Sequence, residues 1–233
     1  TSNVVEASFD TLSGAESEPE SQPESQNTAE QNVVDEVDEA DELYWYIDSK
    51  THHEILQSHL KSVRTLLEVE VPPDTLFSLW VMLHGHVVSA IEGYLAGTFI
   101  HKVTNSEELI RKLVETDPEF SKRTFTLKEI FEKQSNLKVT VATYLKDLIF
   151  HDLKKVKPMF KDVLGHDFGD ISWLFKDVVK RHDCVHRAGY NKDGEAIEVS
   201  KDSVLELLEK VEALANSVEA TVGKLDEPDD LPF

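Results

Sequence analysis

Apolar residues recur at helical spacing from about residue 43 to about residue 218. The first stretch carries an i, i+4 apolar stripe, which predicts an amphipathic helix. Pro72 and Pro73 end this helix, because proline cannot continue a helix past its first turn. The apolar positions of the stretch are Leu43, Tyr44, Trp45, Ile47, Ile55, Leu56, Leu60, Val63, Leu66 and Leu67.

A second helix is predicted from a cap at Asp74 or Thr75 to about His101. Its apolar residues cover a wide arc instead of a narrow stripe, which is typical of a helix buried on several sides. We therefore expect it to lie at the centre of a bundle. Its inward positions are Phe77, Trp80, Val81, Val87, Val88, Ile91, Tyr94, Leu95 and Phe99.

Capping and breaking residues divide the rest of the chain into further helices. No alternating strand pattern recurs, so we predict an all-α bundle of four or five main helices with one or two short inserted helices. The signals are a Ser106 cap, the Asp117-Pro118 break, a capping box at Thr126–Glu129, a break near Ser135-Asn136, Gly165 after a helix over 151–164, an Asp170 cap for a helix to Arg187, Gly189 at its end, and Ser200 or Asp202 before the last helix.

The net charge of −21 is unevenly distributed along the 233 residues. Residues 1–42 hold 13 acids without a lysine or arginine, which leaves 32 acids and 24 bases, a net −8, for residues 43–233. The first segment is rich in Ser, Glu, Gln and Pro, and we predict a disordered acidic tail there. The alternative is a tail that covers a basic groove as a nucleic-acid mimic. We expect a helical domain over 43–225 and a short C-terminal tail over 226–233.

Composition excludes several classes of protein and site. One cysteine, Cys184, rules out an internal disulfide framework and a multi-thiolate zinc site. No apolar run approaches the roughly 18 residues of a membrane span, and no signal-type segment opens the chain. We expect a cytoplasmic protein without membrane attachment. The histidine pairs (52/53, 84/86 and 182/186) lack suitable spacing or a third ligand, and no phosphate-binding glycine loop occurs, so we expect neither metal nor cofactor.

Residues 180–194 concentrate charged, imidazole and small groups at the end of an otherwise apolar helix. On a helical wheel Arg181 and His186 fall about 140° apart, at the two edges of the expected buried stripe. His182 and Val185 fall inside that stripe. The plain structural interpretation is that these cations complement the negative end of the helix dipole.

The segment Arg181-His182-Asp183-Cys184-Val185-His186 resembles the R-x4-6-H signature of the HEPN superfamily. The following Arg187-Ala188-Gly189, a turn, an extended piece over 196–199 and a long final helix are also similar to that family. Upstream, residues 88–95 resemble its early core helix, which often carries an acid at the position of Glu92. The similarity covers about residues 43–225, but only these two segments are specific.

The resemblance implies a helical bundle that dimerises so that two such motifs form one composite RNA-cleaving site. It implies that His186 is the general acid and base and that Arg181 stabilises phosphate charge. It also implies that His182 orients the site or supports RNA contact, and that Glu92 pairs with Arg181 and fixes it. RNA can be cleaved by its own 2′-hydroxyl, so such a site requires no metal, and imidazole and guanidinium suit the proton and phosphate steps. Candidate RNA-contact residues are Lys176, Lys180, Arg187 and Lys192.

Three functional interpretations stay open at this stage. The first is a homodimeric, metal-independent endoribonuclease, such as a toxin or antiviral effector, with RNA as substrate and a protein or nucleotidyltransferase antitoxin as regulator. The second is a HEPN-type binding or regulatory module that keeps the motif without catalysis, which the net −8 of residues 43–233 favours. The third is an unrelated acidic helical interaction protein.

Overall fold

The computed structural model describes residues 43–122, 137–148 and 152–225. All regular elements in these ranges are helical, apart from one isolated antiparallel bridge between Tyr190 and Ala196. The all-α prediction is therefore confirmed for the described part of the chain. The predicted tails, the capping box at Thr126 and the break near Ser135 lie outside the described residues.

The first predicted helix is two helices in the structure. Residues 43–48 form helix α1, and α2 runs over His52–Leu66. Two of the three residues between them, Ser49 and Thr51, carry small hydroxyl side chains, and Ser49 Oγ lies 3.1 Å from Thr51 Oγ1. Such side chains offer the backbone local hydrogen bonds that compete with a continuous helix. The sequence prediction missed this break because apolar residues recur on both sides of it.

Helix α3, Leu76–Thr104, is the centre of the bundle and is about 44 Å long. A 3₁₀ turn, Pro73–Thr75, leads into it. From Val81 onwards it is buried on several sides, as the wide apolar arc predicts, whereas Phe77 and Trp80 are only partly buried. Helix α2 packs against it. The hydroxyl of Tyr94 donates a 2.7 Å hydrogen bond to Glu219 and so ties the middle of α3 to the last helix.

Within the described ranges, four further helices follow α3 before residue 165. The Ser106 side chain accepts from Leu109 N, and Asp117 caps the next turn, so both predicted boundaries are present. Gly165 ends the fourth of these helices with a left-handed φ of 72°. Their bounds are α4 Glu107–Thr116, α5 Pro118–Ser121, α6 Leu137–Asp147 and α7 Leu153–Leu164.

The last two helices are α8, Ser172–His186, and α9, Lys201–Val222. Both pack against α3, and α9 also contacts α2. Ser200 and Ser203 form a reciprocal capping box at the start of α9, as expected from a serine cap there. A 3₁₀ turn, Gly223–Leu225, follows α9. Between α8 and α9 the predicted extended piece is reduced to the single bridge at Ala196.

The segment Pro73–Thr104 is long and apolar enough to cross a membrane by length and composition, and no other helix in the described ranges passes this test. Inside the bundle 44% of its most apolar window is buried. The central helix of a bundle satisfies the same test, because it too is apolar on most sides. The helix is therefore weak evidence for a membrane span.

Gly189 lies where the chain leaves α8 and passes closest to α3. Its φ is 88°, and a Cβ added there would lie 2.5 Å from Val81 Cγ2 and 2.9 Å from Phe77 Cζ. We predict that Gly189→Ala lowers the free energy of unfolding by about 2–4 kcal/mol, since it adds left-handed strain and a clash inside the core. Urea denaturation followed by circular dichroism measures this loss.

The matched control is Gly194→Ala. Gly194 also has a left-handed φ of 81°, but a Cβ there would meet no atom within 4 Å. Gly194→Ala should lower the free energy of unfolding by only about 1 kcal/mol, through left-handed backbone strain alone. Equal losses in the two variants would show that the contact with α3 contributes nothing beyond backbone strain.

Candidate functional site

Arg181 lies between α8 and α3, where it pairs with Glu92. Its Nη2 donates a 2.6 Å hydrogen bond to Glu92 Oε2, and the two side chains are only 21% and 11% exposed. Arg181 Nε and Glu92 Oε1 are buried without a hydrogen-bond partner among the described residues. The pair is therefore joined through a single hydrogen bond, and one donor and one acceptor beside it are unused.

His182 and His186 lie together on the outer face of α8. Their ring centroids are 4.6 Å apart, and both residues are exposed. Because Arg181 and His186 are about 140° apart around the helix, the ion pair and the histidines occupy different faces of α8. Within one chain, Glu92 therefore lies against Arg181 and His182 lies against His186, but the two pairs do not converge on one point.

The expected position of His182 and Val185 inside the buried stripe of α8 is wrong. Val185 is 57% exposed, whereas Arg181 and Cys184 take the inward positions. Towards the end of the helix the inward positions are three residues apart. Three residues turn the helix by about 300°, so each step rotates the buried face back by about 60°. The wheel drawn from the first two turns therefore fails for the last two.

The candidate RNA-contact residues fall in separate places. Lys180 donates to the Glu198 carbonyl at 3.2 Å, and Arg187 forms an ion pair with Asp183 in the preceding turn. Lys192 is exposed in the turn after α8. Lys176 and Lys180 line a groove between α8 and α9. The charges of both arginines near the motif are thus largely balanced by neighbouring carboxylates.

Other reactive groups near the motif do not form a catalytic centre. Burial raises the pKa of the Cys184 thiol to about 11, so it stays protonated and is a poor nucleophile at neutral pH. His84 and His86 point to opposite sides of α3, and His86 contacts His59 at 3.0 Å instead. Within the described ranges no three metal-ligating side chains are grouped.

Sequence reasoning missed three residues that meet in the groove beside Lys176 and Lys180. They are His84 from α3, Trp173 from the start of α8 and Lys210 from α9. His84 was considered only as a metal ligand, and it lies in the middle of an apolar helix, where a histidine carries no positional signal. Burial, together with the nearby Lys180 charge, lowers the pKa of His84 to about 4, so its ring is neutral at pH 7.

No family model matches the chain, and neither a curated protein nor a solved structure matches it significantly. The similarity to HEPN proteins therefore rests on the residues of the two segments themselves. The structure contains the contact between Glu92 and Arg181 that the resemblance implies. The catalytic and RNA-binding roles of these residues stay predictions.

The buried position of the Arg181–Glu92 pair predicts strong coupling between its members. Removal of one partner leaves the other polar group buried without its counter-charge, which costs more than the loss of an exposed pair. We expect a double-mutant cycle of Arg181→Met and Glu92→Gln to give a coupling energy of about 1–3 kcal/mol in urea unfolding.

The Arg64–Glu212 pair supplies a matched control. It joins the same atom types at the same 2.6 Å, but both of its side chains are 38% exposed. Its coupling energy should be below about 1 kcal/mol. If the two cycles gave the same value, burial would not distinguish the Arg181 pair from an ordinary surface ion pair.

The lowered pKa of His84 predicts that the fold loses stability in acid. Its pKa is 6.5 when unfolded and about 4 in the fold, so the unfolded chain binds the proton first as the pH falls. The contribution of the neutral ring to the free energy of unfolding is complete above pH 6.5. It is lost progressively as the pH falls to 4, by roughly 3 kcal/mol in total. Asp177 and Lys180 are the charged groups that face the ring.

The measurement is urea unfolding at pH 7 and pH 4.5 for the wild type and His84→Gln. The drop in unfolding free energy between the two pH values should be smaller in the variant by about 2 kcal/mol. His182→Gln, which removes an imidazole from the exposed face of α8, should keep the wild-type drop. An unchanged drop in His84→Gln would contradict the assignment.

Proposed function

We propose that this chain is a metal-independent endoribonuclease that acts as a homodimer. The observation that carries the proposal is the arrangement at the end of α8. There a partly buried guanidinium is held in place by a carboxylate, and an exposed imidazole follows five residues later. A fixed, permanently charged group and an accessible base are the two components that internal cleavage of RNA requires.

The reaction assigned to these groups uses the substrate's own nucleophile. His186 removes the proton from a ribose 2′-hydroxyl, whose oxygen attacks the adjacent phosphorus while the bond to the 5′-oxygen breaks. The leaving 5′-oxygen takes a proton from the imidazolium of His186, and the products are a 2′,3′-cyclic phosphate and a 5′-hydroxyl. Arg181 stabilises the additional negative charge on the phosphoryl oxygens in the transition state. His182, beside His186, would orient its ring or contact the RNA.

A second copy of the chain would complete the site. Arg181 and His186 diverge by about 140° on one helix, so a phosphate at one of them is not automatically within reach of the other. Large apolar side chains are exposed on α8 near the histidines, namely Val179 at 67% and Val185 at 57%. An apolar surface of this kind favours contact with another protein surface, and it supports a dimer across the outer face of α8.

A binding or regulatory module without catalysis is the second candidate. It is favoured by the pairing of both arginines with carboxylates, Arg181 with Glu92 and Arg187 with Asp183. Paired guanidinium groups attract phosphate less than free ones, and a strongly basic surface normally accompanies RNA binding. The two candidates differ in whether His186 is needed for turnover.

The test is cleavage of a mixed RNA pool in EDTA by the full chain and by His186→Ala and Arg181→Ala. General acid–base and phosphate stabilisation each contribute about 10²–10⁴-fold, so either substitution should reduce the rate by at least about 100-fold. The cleaved ends should carry 2′,3′-cyclic phosphates. Thermal unfolding of each variant separates loss of catalysis from loss of fold.

Two matched controls are His53→Ala and Arg64→Ala, which remove the same side-chain types from α2. Both should retain the wild-type rate. Absence of cleavage by the wild type, or equal activity in the wild type and the two site variants, would overturn the nuclease proposal. Intact RNA binding without cleavage would then favour the binding module.

A further inference from the structure

A groove of about 270 Å³ lies between α8 and α9, with α3 at its floor. Three lysines line it, Lys176 and Lys180 from α8 and Lys210 from α9, together with the indole of Trp173. On the wheel of α8 Lys176 lies about 120° from His182, so the groove opens on a different flank from the exposed histidines. It is a separate site from the one proposed for RNA cleavage.

His84 at the floor of the groove is buried, and its ring nitrogens lie beyond hydrogen-bond distance of their nearest charged neighbour, Asp177. The His84 side chain is only 1% exposed, and neither ring nitrogen has a hydrogen-bond partner among the described residues. The nearest carboxylate oxygen, Asp177 Oδ1, is 3.7 Å from Nε2, beyond hydrogen-bond distance. Buried side-chain nitrogens nearly always have a partner, so an unused imidazole that lines a groove indicates a polar ligand within it.

The charge of the lining favours an anion. Three lysines face two carboxylates, Asp177 and Glu206, and Glu206 is paired with Lys210 at 2.5 Å. The first turns of α8 and α9 also contribute Ser172 and Ser203 to the lining, and helix N-termini carry partial positive charge. The groove is therefore locally cationic on a chain whose overall charge is negative.

Trp173 adds a flat aromatic surface beside these cations. Lys210 Nζ lies 5.9 Å from the centre of the Trp173 ring, so one ammonium group is held close to the indole. An aromatic ring next to lysines is a combination that recognises a base and its phosphate together, by stacking and by charge. A neutral imidazole can both donate and accept, as recognition of a polar base edge requires.

We propose that this groove binds a nucleoside monophosphate, through both its phosphate monoester and its base. The phosphate contacts Lys176 and Lys210 at the mouth of the groove, the base lies along Trp173, and His84 forms a hydrogen bond with the ligand at the floor. The volume of the groove suits one nucleotide. The proposal does not rest on the nuclease function, because binding is measured without RNA and without turnover.

The test is titration of the full chain with AMP, with adenosine and inorganic phosphate as separate arms. Binding is followed by calorimetry and by the imidazole resonances of His84 in ¹H–¹⁵N correlation spectra. AMP should bind with a Kd in the millimolar range or tighter and should shift the His84 resonances. Adenosine and phosphate should each bind at least about tenfold more weakly, since each lacks one of the two contacts.

Lys176→Gln and Lys210→Gln should each weaken AMP binding about three- to tenfold, through loss of a charge-assisted hydrogen bond. Lys154→Gln, which makes the same change at an exposed lysine of α7 outside the groove, should bind as the wild type does. Lack of AMP binding, equal affinity for AMP and adenosine, or equal effects of all three lysine variants would overturn the proposal.

Discussion

The burial of α3 is the constraint on which the other elements depend. A 29-residue helix that is apolar on nearly every side is unstable when it is exposed to water. It is therefore covered by five other helices, namely α2, α4, α6, α8 and α9. The polar residues of α3 that lie in the interior then need a partner from a surrounding helix. Tyr94 finds one on α9 and Glu92 finds one on α8, whereas the ring nitrogens of His84 have no hydrogen-bond partner among the described residues, and Asp177 Oδ1 lies 3.7 Å away.

Contact with α3 also determines which side of α8 is available for chemistry. Gly189 lets the chain pass against Val81, and a Cβ at Gly85 would lie 3.5 Å from Cys184 Cβ, so the end of α8 lies close to α3. Arg181 and Cys184 turn inwards there, and His182 and His186 turn outwards as a consequence. The ion pair with Glu92 is therefore part of the packing of the bundle and of the candidate site together.

Local signals predicted much of this fold, because capping and breaking residues act within a few positions of themselves. Ser106, Asp117, Gly165 and Ser200 each mark a helix boundary where the sequence places it. The exposure of His182 was not predictable in the same way, since it depends on how α8 runs across α3. The groove depends on three helices, and its residues lie far apart in sequence, so no local pattern could reveal it.

The acidity of the chain acts on its two candidate sites in different ways. At physiological salt the field of a surface charge decays over about 8 Å, so carboxylates elsewhere on the chain scarcely reach a groove lined by its own lysines. A mononucleotide meets only that local field. An RNA strand extends beyond the site and meets the surrounding acids of a domain with net −8 over residues 43–233. Phosphate chemistry on this surface therefore favours short or single anionic groups over long polyanions, and an RNA substrate would have to be held by contacts close to the cleaved bond.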